Sequence, residues 1–108
     1  MGKIMKTLEN AILKIRENPN KYIGQPSISR LNLFILGYIL RQLEEKREDS
    51  KWLDEFQKFV EQKYNITDSL NFSIIIRCFS SSDGHAFEQF YKLLDEFYIK
   101  RLNKEVES

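Results

Sequence analysis

Leu8, Ile12 and Ile15 recur at spacings of four and three along TLENAILKIRE, with Ile4 and Ala11 widening the stripe. That period predicts an amphipathic helix over Thr7–Glu17. Pro19 stops it, because a residue preceding proline is pushed out of the helical region. The connector NPNKYIGQP holds two prolines and a glycine around Tyr22 and Ile23, and reads as a loop pinned to the core. Ser27 or Ser29 is placed to cap a second helix running to about Arg47. Between Leu31 and Leu43 that helix is apolar on nearly every side, which predicts a central helix enclosed by its neighbours. A third helix starts at Ser50, with Trp52, Leu53, Phe56, Phe59, Val60 and Tyr64 as its buried face.

The stretch LNFSIIIRCF is ambiguous. Leu70, Phe72, Ile74, Ile76 and Cys78 alternate as a strand does, and β-branched residues are frequent there. Asp68 or Ser69 is also placed to cap a short helix, and no second strand-like run exists to pair with residues 70–79. An isolated strand leaves its backbone groups without partners, so helix is favoured. The last helix, from about Gly84 to Leu102, carries Phe87, Phe90, Tyr91, Leu94, Phe97, Tyr98 and Leu102 at three-and-four spacing, after a turn and cap in SSSDG. The expected fold is all-α: one domain over residues 1–108, a bundle of about five helices around Leu31–Leu43.

Composition narrows the function classes. With 108 residues the chain suffices for one core, and eight Phe, five Tyr and one Trp bury much surface for its size. The formal charge is +1, without the basic excess of a sequence-blind nucleic-acid binder. The charge is uneven: Lys3, Lys6, Lys14, Arg16, Lys21 and Arg30 face only Glu9 and Glu17 in the first thirty residues, and acids outnumber bases in the segment after them. Cys78 is the only cysteine, which rules out an intramolecular disulfide and fits a reducing compartment. The opening MGKIMKTLENAILK has no long apolar run or small-residue cleavage site, Lys6 stands where a myristoylation signal needs Ser or Thr, and no segment nears a membrane span. A cytoplasmic protein with neither membrane nor nucleic-acid partner is expected.

Candidate chemistry is sparse. One His and one Cys do not make a zinc set, nothing matches a calcium loop, and no metal or other cofactor is expected. Arg77 and His85 suggest the Arg–His pair of small helical HEPN ribonucleases, but CFSSSDG between them is longer than that motif allows and contains a turn. KIRENPNKYIG resembles the start of the ATPase domain of DNA gyrase, whose acidic-Asn helix and Asp-x-Gly-x-Gly loop are not in this chain. A non-enzymatic role is therefore expected. The acidic cluster Glu44, Glu45, Glu48, Asp49, Asp54 and Glu55 reads either as a solvated helix end, helped by Lys46, Arg47 and Lys51, or as a patch steering a basic partner.

Three segments, IRENPNKYIGQPSISRLNLFILGY, the aromatic third helix and SSSDGHAFEQFYKLLDEFY, together span Ile15 to Tyr98. They resemble a family of small bacterial immunity proteins found beside polymorphic or contact-dependent toxins. The shared motifs are a Pro-x-x-Tyr-x-Gly turn, a Ser-x-x-x-Leu-x-x-Phe-x-x-Gly-Tyr helix and a Leu-Leu-Asp-Glu-Phe ending. The resemblance implies a non-catalytic protein that binds a cognate toxin and occludes its active site or substrate access, and it assigns no residue to toxin contact; the candidate contact face, Glu44, Glu45, Glu48, Asp54 and Glu55, is taken from the acidic cluster alone. A HEPN-like ribonuclease and a homo-oligomeric adaptor with surplus aromatics at its subunit interface are the alternatives.

Overall fold

The computed structural model describes residues 7–44 and 50–107. In chain order the helices are α1 (Thr7–Glu17), α2 (Pro19–Ile23), α3 (Ile28–Glu44), α4 (Ser50–Tyr64), α5 (Phe72–Cys78) and α6 (Asp83–Glu107), and no strand occurs among the described residues. The fold is all-α, as the hydrophobic period predicts, with six helices among the described residues in place of about five. The addition is α2, where the connector reads as a loop. Pro19 stands in its first turn, where the fixed φ of proline favours a helix start and the missing N–H costs nothing. Gly24 then ends the turn at φ 90°, and Arg30 donates to Ile23 O at 3.0 Å. Ile23 packs against the core, whereas Tyr22 is exposed.

Residues 72–78 are helical. Asn71 is the cap, accepting from Ser73 N at 2.8 Å, in place of the expected Asp68 or Ser69. Gln57 of α4 secures the same end: its Oε1 accepts from Phe72 N at 2.7 Å and its Nε2 donates to Leu70 O at 2.6 Å. These contacts satisfy backbone groups that a lone strand would leave open.

The core centres on Phe56 of α4. Its ring stacks on Trp52, with centroids 5.6 Å apart, and meets Phe72, Phe90 and Phe97 edge-on at 5.7, 5.3 and 5.5 Å. The helix that contributes most to the core is α6, which buries Ala86, Phe87, Phe90, Tyr91, Leu93, Leu94 and Phe97. Its stripe ends earlier than the spacing suggests, since Leu102 is exposed. α1 buries Leu8, Ile12 and Ile15 and is tied to α6 by polar bonds. Tyr91 donates to Ile12 O at 2.7 Å, and Arg16 grips Asp95 through two bonds of 3.0 and 2.8 Å. The buried Glu9 carboxylate accepts from Tyr98 Oη at 2.5 Å, and Tyr98 Oη in turn accepts from Trp52 Nε1 at 3.2 Å.

The expectation that α3 is enclosed on all sides is corrected. Among its described residues, only Ile28, Leu31 and Ile35 are fully buried hydrophobics; Phe34, Tyr38 and Ile39 are partly covered, and Leu33, Leu36 and Leu40 are exposed. Neighbours cover one side of α3, and α6 takes its place as the main contributor to the core.

Candidate docking surface

The side of α3 facing away from the core carries Leu33, Leu36, Gly37 and Leu40. These lie at successive spacings of three, one and three, so they share one face. Leu33 is 68% exposed, Leu36 44% and Leu40 62%. Exposed leucines scattered singly need no explanation, but three along one helical ridge form a patch of the kind used to bind other proteins. Gly37 sits within the ridge, and a Cβ added there would meet nothing within 4 Å. A helix-interior glycine costs about 1 kcal/mol relative to alanine. Among the described residues neither a turn nor a close contact requires this one, so it leaves a dent among the leucines that suits close approach from outside.

The start of the ridge is held by a carboxylate from the far end of the sequence. Ser27 caps α3, its Oγ accepting from Arg30 N at 3.1 Å, and Ser82 caps α6, its Oγ accepting from His85 N at 3.0 Å. Asp83, in the first turn of α6, accepts hydrogen bonds from the hydroxyls of Ser27 and Ser29, the latter at 2.9 Å. Burial pushes the Asp83 carboxyl up, but those hydroxyls, the Ser29 backbone and the Arg77 charge outweigh it and hold it below its ordinary value. The carboxylate thus sits at two helix N-termini, where negative charge is favoured. A group whose pKa falls on folding contributes stability that is present above its unfolded value, about 4, and is lost as pH drops through the folded value. Asp83→Asn is therefore expected to lower Tm near neutral pH and to flatten the loss of stability below about pH 4, read by thermal denaturation across pH. A parallel acid limb in wild type and variant would refute this role.

Beside this clamp lies a shallow cleft of about 400 Å³ lined by Ile28 and Ser29 of α3 and by Ser73, Ile74, Arg77 and Cys78 of α5. Arg77 donates to Ser80 O at 3.2 Å and lies 3.9 Å from Asp83. His85 does not line this cleft. Its Nδ1 accepts from Ser81 N at 3.0 Å and its Nε2 lies 3.2 Å from the Gln89 amide, so its ring braces the start of α6. The arginine and histidine of the ribonuclease alternative thus have separate structural partners. Among the described residues, no group of three or more His, Cys, Asp or Glu side chains is placed to hold a metal ion, and no helix is long and apolar enough to cross a membrane.

Of the acidic candidates, Asp54 and Glu55 are the ones whose side chains are described. Asp54 and Glu55 are exposed on α4, about one turn from the likewise exposed Lys51 and Lys58, which makes the charge there mixed. Glu44 is the last residue of α3, and Glu45, Glu48 and Asp49 lie outside the described residues. The ridge is hard to recognise in the sequence because its leucines look like core. The signal that could have found it is the surplus of apolar positions on α3 together with Gly37 among them.

The chain matches no family model, no curated protein and no solved structure.

Proposed function

We propose that this chain is a non-catalytic protein-binding domain that docks its partner on the leucine ridge of α3. The observation that carries this reading is the outward position of Leu33, Leu36 and Leu40 around Gly37 on a helix whose other side is anchored in the core. Apolar anchors on a rigid helix are desolvated at little ordering cost when a partner covers them. The sequence resemblance to small bacterial immunity proteins supplies the partner class: a cognate toxin in the cytoplasm, neutralised by occlusion. In that setting the acidic residues Glu44, Glu45, Glu48, Asp54 and Glu55 steer a basic toxin surface toward the ridge, affecting association rate more than affinity.

The test is growth rescue by co-expression with toxin genes taken from the chain's own locus. Wild type is expected to restore growth. Leu33→Glu with Leu40→Glu is expected to abolish rescue while leaving the circular dichroism spectrum unchanged, because both side chains already face water. Charge reversal at Glu45 and Glu48 is expected to slow association and leave a slower but tight complex. Full rescue by the double leucine variant would remove the ridge from the binding surface. Failure of wild type to neutralise any such toxin would remove the immunity reading.

A further inference from the structure

We draw no further inference here: the strongest candidate, the shallow cleft between α3 and α5 where the exposed Cys78 lies beside Arg77, rests on a lone cysteine whose neighbouring guanidinium is already bonded to Ser80 O and faces Asp83, and nothing in the structure shows what would occupy it.

Discussion

Phe56→Ala is expected to cost about 3–5 kcal/mol, in the range of large-to-small changes at fully buried aromatic sites. The reason is the position of this ring. It is fully buried, stacks on Trp52, and meets Phe72 of α5 and Phe90 and Phe97 of α6 edge-on, so it joins three helices. Removing it leaves a cavity bordered by stiff rings held on separate helices, which close poorly into the space, and the cavity adds to the lost transfer free energy. A domain of this size has about 5–15 kcal/mol of total stability, so the variant retains a marginal fold at best. Tm is expected to fall by about 15–25 °C. Denaturant unfolding of wild type, Phe56→Ala and Phe56→Leu checks this, with Phe56→Leu recovering much of the loss. A Phe56→Ala loss below about 1 kcal/mol would show that the ring is not the centre of the core.

Tyr98→Phe is the second large effect, and its mechanism is polar. The phenol occupies the middle of a chain from Trp52 Nε1 to Tyr98 Oη to Glu9 Oε1, with the Glu9 side chain buried. Removing one oxygen takes the donor from a buried carboxylate and the acceptor from an indole N–H. Stranded buried partners cost about 1–3 kcal/mol each, more when charged, so a total of about 2–4 kcal/mol is expected. Glu9→Gln keeps an acceptor for the phenol and is expected to cost less than Tyr98→Phe. The double variant is expected to be less destabilised than the sum, because an amide without the phenol is stranded less severely than a carboxylate. Strict additivity in that cycle would mean the two side chains do not interact.

The same hydroxyl shapes the alkaline limb. Burial first, then the hydrogen bond and charge of Glu9, push the Tyr98 phenol above its ordinary value, and burial does the same to Tyr91. A phenol whose pKa rises on folding contributes stability that is complete below its unfolded value, about 10, and is lost as pH climbs through the folded value. Wild type should therefore lose stability above about pH 10, and Tyr98→Phe should lose less of it there.

The helices themselves are legible in the pattern of apolar residues. The three-and-four spacings of Leu8, Ile12 and Ile15, and of Phe90, Tyr91, Leu94 and Phe97, are local properties, and they mark α1 and α6 whatever surrounds them. The lack of a second strand-like run is likewise enough to favour helix for residues 72–78. Two local features are readable in principle yet escape the apolar pattern: Asn71 as the cap of α5, and Pro19 as the opening residue of α2.

Which face of each helix is covered was decided only in three dimensions. On α3 nearly every position between Leu31 and Leu40 is apolar, so periodicity could not separate Leu31 and Ile35, which are buried, from Leu33 and Leu40, which are not. Nor does any local pattern mark Glu9 as buried, or bring Asp83 to Ser27 across 56 positions. Helix formation depends on neighbours three and four residues away, whereas burial depends on which distant segments arrive to share a surface. The candidate site exists because packing left one greasy side of α3 uncovered, a choice made by the whole bundle.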